Sequence, residues 1–77
     1  MSLYTLLLDL LRSPITVQEL VDATKIKKDH LDVYLSNLRR EGLIKTIGRK
    51  RINYRYVITN KGLLKLYGLK LLDIVGG

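Results

Sequence analysis

At 77 residues, 47% of them hydrophobic and none of them cysteine, the chain has room for one small domain and no disulfide or thiolate chemistry. Its formal charge of +7 lies in one stretch. Between Thr24 and Tyr56, ten cations (Lys25, Lys27, Lys28, Arg39, Arg40, Lys45, Arg49, Lys50, Arg51 and Arg55) stand against Asp29, Asp32 and Glu41, and the charges elsewhere cancel. That asymmetry points to a polyanionic partner, while His30 and seven carboxylates are a poor inventory for an enzyme, a metal centre or a cofactor site.

The elements follow in chain order. Ser2 is placed to cap a first helix over residues 3–12, which the Ser13-Pro14 pair stops because proline disfavours helical geometry in the residue before it. Its many leucines, with Tyr4, exceed one core-facing stripe. A short extended piece over 14–16 leads into Thr16-Val17-Gln18-Glu19, the pattern of a capping box, and a helix over 17–24. After a turn at Lys25-Ile26-Lys27, a third helix is expected over 28–41, with Gly42 as its stop. Leu31, Leu35 and Leu38 share its inner side, while Asp29, Val33, Ser36, Asn37 and Arg40 share the other.

Beyond Gly42 the hydrophobic period changes to two, which predicts strands over 43–48 and 51–58 joined by a turn at Gly48-Arg49-Lys50-Arg51. In the second strand Ile52, Tyr54, Tyr56 and Ile58 would share one face, so core packing is expected of the tyrosines. Thr59 or Asn60 then caps a last helix over 61–74 that ends at Gly76-Gly77.

This order of elements resembles that of winged helix-turn-helix regulators of bacterial and archaeal type. Two phrases carry the resemblance: Leu38-Arg39-Arg40-Glu41-Gly42-Leu43-Ile44 at the exit of the third helix, and Tyr56-Val57-Ile58-Thr59-Asn60-Lys61-Gly62 at the exit of the second strand. Together they cover roughly residues 14–62. The family usually begins its recognition helix with Ser or Thr, and often Pro, where this chain has Lys27-Lys28-Asp29-His30, so no base preference carries over. The resemblance implies a mainly helical α+β fold with a small β hairpin, in one domain spanning residues 1–77.

It also implies binding to double-stranded DNA, with the third helix in the major groove and the hairpin on the minor groove or backbone. The residues expected to contact DNA are Lys27, Lys28, His30, Val33, Asn37 and Arg40 from the helix, and Arg49, Lys50, Arg51 and Arg55 from the hairpin. Asn pairs well with adenine, Arg with guanine, and Val33 suits a thymine methyl. The bland alternatives are a solvated helix face and a hairpin tip kept charged against aggregation.

Apolar residues nearly surround the last helix, more than one small core can bury. A homodimer through the first and last helices is therefore expected, with Leu3, Leu7, Leu11, Tyr67, Leu71 and Ile74 at its interface. The alternatives are a helix lying on a membrane surface, or both helices packing on the core. The function expected is transcriptional regulation by promoter occupancy, in the cytoplasm at the nucleoid, or in host cytoplasm if viral, with no small-molecule effector evident. The rival is a module that binds RNA or protein in a larger assembly. The Cys-free, Leu- and Lys/Arg-rich composition suits a heat-adapted archaeon or its virus.

Overall fold

A computed structural model of the chain describes residues 3–76, without the side chains of Asp73 and Val75. The expected cap at Ser2 and the terminal Gly77 lie outside the described residues. The protein is mainly helical with a small antiparallel sheet: α1 (Leu3–Leu10), α2 (Val17–Thr24), α3 (Lys28–Arg40), β1 (Ile44–Ile47), β2 (Arg55–Ile58) and α4 (Asn60–Gly76).

Leucine builds the core. Leu7, Leu8, Leu11, Leu20, Leu31, Leu35, Leu38, Leu43 and Leu66 join Ile44 and Ile58 in one buried cluster, against which Leu3, Ile15, Ile26 and Tyr56 are packed. α1 packs on α4, α2 on α3, and the hairpin bridges α3 and α4. A 3.1 Å ion pair from Lys70 to Asp9 joins α4 to α1, and Arg12 stands 3.6 Å from the same carboxylate.

The helix ends follow local chemistry. α1 stops at Leu10, two residues earlier than expected, and a turn carries the chain through Ser13 to Pro14. Ile15 then pairs with Tyr56 in both directions at 2.9 and 3.0 Å, so the expected 14–16 strand is a single antiparallel bridge on the open edge of β2. Thr16 and Glu19 form both halves of the capping box at the start of α2. Lys25 closes α2 with φ at +61°, in the left-handed region that costs most residues energy. α3 begins at Lys28, and Lys27 at its N-cap position makes no side-chain cap.

At the other end of α3 the amide of Leu43 donates to Leu38 O and that of Gly42 to Arg39 O, each at 3.0 Å. With Gly42 at φ +76° and both leucines buried, this is a Schellman motif sealed by its apolar contact. α4 starts one residue early, at Asn60, and of the two candidate caps it is Thr59 that serves: its hydroxyl accepts from the Gly62 amide at 3.0 Å and donates to Gly42 O at 2.7 Å.

Three expectations are corrected. First, the hairpin pairs only Ile44–Ile47 with Arg55–Ile58, and residues 48–54 form a loop rather than a four-residue turn with a strand from 51. Arg49 O accepts from the amides of both Ile52 and Asn53 at 3.1 Å, the Asn53 side chain takes the Arg49 amide at 2.6 Å, and Arg51 sits at φ +72°. These local bonds curl the chain into a hydrogen-bonded turn and override the β preference of its residues. Second, Ile52 therefore leaves the core face and is 77% exposed at the loop. Third, Leu7 and Leu11 are fully enclosed by their own chain, and Leu3 is half-buried against the core. Leu7 and Leu11 can reach no second molecule without opening the core, which removes them from the expected dimer interface.

Candidate nucleic-acid interface

The elements that carry the charge are α3 and the hairpin. Leu31, Leu35 and Leu38 bury one side of α3, and this spacing turns Asp29, Val33, Ser36 and Arg40 outward with Asn37 half-exposed beside them. Lys27, Lys28 and His30 are exposed around the helix start. Val33 is 61% exposed, an apolar spot among polar neighbours on the outer face.

The hairpin loop presents Arg49, Lys50 and Arg51, all exposed, with Ile52 projecting among them. On the sheet, Ile44 and Ile58 pair across the buried face, whereas Lys45 and Arg55 are exposed. All ten cations of the 24–56 stretch are exposed, and among the described residues none of them is in an ion pair; the ion pairs found, Arg12 and Lys70 with Asp9, lie outside the stretch. A surface that leaves its cations unmatched carries a standing positive potential, and neutralising it by a polyanion costs no ion pair.

Arg55 acts on one carboxylate without forming an ion pair with it. Glu19 is held below the ordinary carboxylate range, mainly by the Thr16 amide and hydroxyl, and the nearby Arg55 guanidinium adds to this. Tyr54 and Tyr56 stack edge to face with ring centres 5.4 Å apart. Burial, with Tyr54 alongside, pushes the Tyr56 phenol above its ordinary value, and Arg39 opposes the shift.

Two residues with a place at this surface were not among those expected. Tyr4 of α1 meets Tyr34 of α3 edge to face at 5.9 Å and, with Asn37, Arg40 and Glu41, lines a shallow depression of about 330 Å³. No sequence signal separates Tyr4 from the leucines around it. Ile52 is the other: an apolar side chain at a cationic tip, hidden in the sequence by an alternation that reads as strand. A larger concavity of about 380 Å³ lies between α1, α4 and the entry to β1, lined by Tyr4, Leu8, Leu43 and Leu69 with Glu41 and Lys65.

Among the described residues there is no group of His, Asp or Glu side chains that could hold a metal ion, and no helix is long and apolar enough to cross a membrane. Compared with known proteins, the chain matches no family model, no curated protein and no solved structure.

Proposed function

We propose that this protein is a winged helix-turn-helix regulator that binds double-stranded DNA and acts on transcription by occupying promoter sites at the nucleoid. The observation that carries the reading is the set of ten exposed, unpaired cations on α3, its flanking turns and the hairpin. α2, the turn at residues 25–27 and α3 supply the helix-turn-helix, and the loop at 48–54 supplies the wing. In this arrangement α3 enters the major groove with Lys27, Lys28, His30, Val33, Asn37 and Arg40 toward base edges and the adjoining phosphates.

The wing crosses to the adjacent minor groove. Arg49, Lys50 and Arg51 suit its negative potential, and Ile52 is placed as an apolar wedge against a base step. Tyr4 flanks the C-terminal half of this face, lining one depression with Asn37 and Arg40. No catalytic role is assigned to any residue.

A salt titration tests the reading directly. About six phosphate contacts per protomer give a log-log slope of binding against salt of about −5. A dissociation constant that stays flat from low to moderate salt would overturn it. Competition by single-stranded DNA or RNA at equal strength to duplex DNA would favour instead a module that binds RNA within a larger assembly.

A further inference from the structure

Helix α4 has two apolar faces and its own chain covers one. Gly62 and Leu66 are buried and Leu63 and Leu69 half-buried, whereas Leu64, Tyr67, Leu71, Leu72 and Ile74 are 50–78% exposed. At about 100° per residue, Leu64, Tyr67, Leu71 and Ile74 fall within roughly 80° of one another, on the far side of the helix from Gly62 and Leu66. Because α4 rests on α1 and β2, this stripe points away from both.

The spacing of the stripe names its partner. Leu64, Tyr67, Leu71 and Ile74 are separated by three, four and three residues, the a/d repeat of a coiled-coil seam. The interval reads the same in both directions, so a second copy running antiparallel meets it in register: Leu64 opposes Ile74 of the other copy, and Tyr67 opposes Leu71. A parallel pairing would instead set the two bulky Tyr67 rings against each other. Gly68 lies beside the centre of the stripe, where a side chain would meet nothing of its own chain, so the helices can approach closely there. Lys70, the cation nearest that centre, is already drawn to Asp9 of its own chain.

The seam itself is small. Leu and Ile side chains present roughly 100 Å² of apolar area and Tyr about 200 Å². At their exposures the four seam residues bring roughly 300 Å² per protomer, or about 600 Å² for the pair, before the helix backbone is counted. That total lies below the roughly 1,200 Å² at which specific interfaces begin, so the pairing should be weak and depend on concentration.

We infer that α4 is the dimerisation element, pairing with α4 of a second copy as a short antiparallel coiled coil along Leu64, Tyr67, Leu71 and Ile74. The inference is independent of the DNA-binding reading, since the seam uses none of the ten cations.

Sedimentation equilibrium of the full chain, without DNA, should give an average mass that rises with concentration from 8.9 kDa toward twice that value. A constant 8.9 kDa up to several hundred micromolar would overturn the inference. Leu71→Lys should abolish the rise while leaving the circular dichroism spectrum unchanged, because Leu71 is already exposed in the protomer; a Leu71→Lys protein that still dimerises would place the interface elsewhere. Direction is read by cross-linking in a chain with no native cysteine. Oxidation of the Leu64→Cys, Ile74→Cys double variant should give a covalent dimer, and the Leu64→Cys single variant should not. Ten residues apart on one helix, the two thiols cannot bond within a chain. Efficient cross-linking of the single variant would mean a parallel pair and overturn the antiparallel seam.

Discussion

The hydroxyl of Thr59 donates to the carbonyl of Gly42 at 2.7 Å, so one side chain ties the end of α3 to the start of α4. The same oxygen accepts from the Gly62 amide, and the Thr59 amide donates to Leu43 O at 2.9 Å. The C-terminal stop of α3 and the N-terminal cap of α4 are thus one hydrogen-bonded joint. Thr59→Ala should cost about 1–2 kcal/mol in urea unfolding, with Thr59→Ser recovering most of it. Equal loss in both variants would show that the methyl group, not the hydroxyl, matters.

Gly62 completes that joint. A Cβ at this position would run into Leu43 O and the Ile58 side chain, so α4 reaches the hairpin only because no side chain intervenes. Gly62→Ala should destabilise by about 3 kcal/mol despite alanine's better helix propensity. Gly68→Ala, in open space on the same helix, should be neutral or stabilising in the protomer. The contrast in thermal midpoints is the check.

The turn between α2 and α3 is built from poor choices for its backbone. Lys25 adopts φ +61° and Lys27 occupies a cap position without capping. Lys25→Gly should raise stability by about 0.5–1 kcal/mol and Lys27→Ser by about 1 kcal/mol. Both should weaken DNA binding if these cations face phosphate. A variant both more stable and undiminished in DNA binding would show that the cation lies off the interface.

Asp9 sets a pH dependence. The Lys70 ammonium, hydrogen-bonded at 3.1 Å, holds its carboxyl below the ordinary value of 3.8, with Arg12 assisting. A carboxyl with a lowered folded-state pKa stabilises the fold above its unfolded pKa and ceases to do so as pH falls through the folded value. The contribution is small because the pair is partly exposed and screened. Asp9→Asn should therefore be slightly less stable than the parent at pH 7, with the difference shrinking as pH falls below the ordinary carboxylate range and the Asp9 carboxyl is protonated. A difference that persists in acid would assign it to packing.

The hairpin and α3 should separate in binding assays. Arg49→Ala with Arg51→Ala should weaken all duplexes alike and flatten the salt slope, whereas Asn37→Ala or Arg40→Ala should cost about 1–3 kcal/mol on the preferred site alone. Ile52→Ala should leave the salt slope unchanged and reduce DNA bending, measured by fluorescence transfer between labelled duplex ends. Equal losses of the α3 variants on specific and random DNA would mean that α3 does not read bases.

Local chemistry was legible in the residues themselves. Thr16 and Glu19 announce the start of α2, Gly42 the end of α3, and the leucines at 31, 35 and 38 its inner face, because each rests on bonds or spacings within a few residues. The charged stretch was equally plain, since a charge count needs no coordinates. What tertiary structure decided is where equivalent residues end up. Leu7 and Leu71 look alike in the chain, yet one is enclosed by the core and the other exposed, because only the packing of α1 on α4 selects the inner face of each. Ile52 alternates like a strand residue, but the bonds from Arg49 curl its segment out of the sheet. Thr59 and Gly42, seventeen positions apart, meet only because the hairpin returns the chain to the end of α3. Burial and long-range pairing depend on which surfaces the whole chain brings together, and that information is distributed over every residue rather than held in any motif.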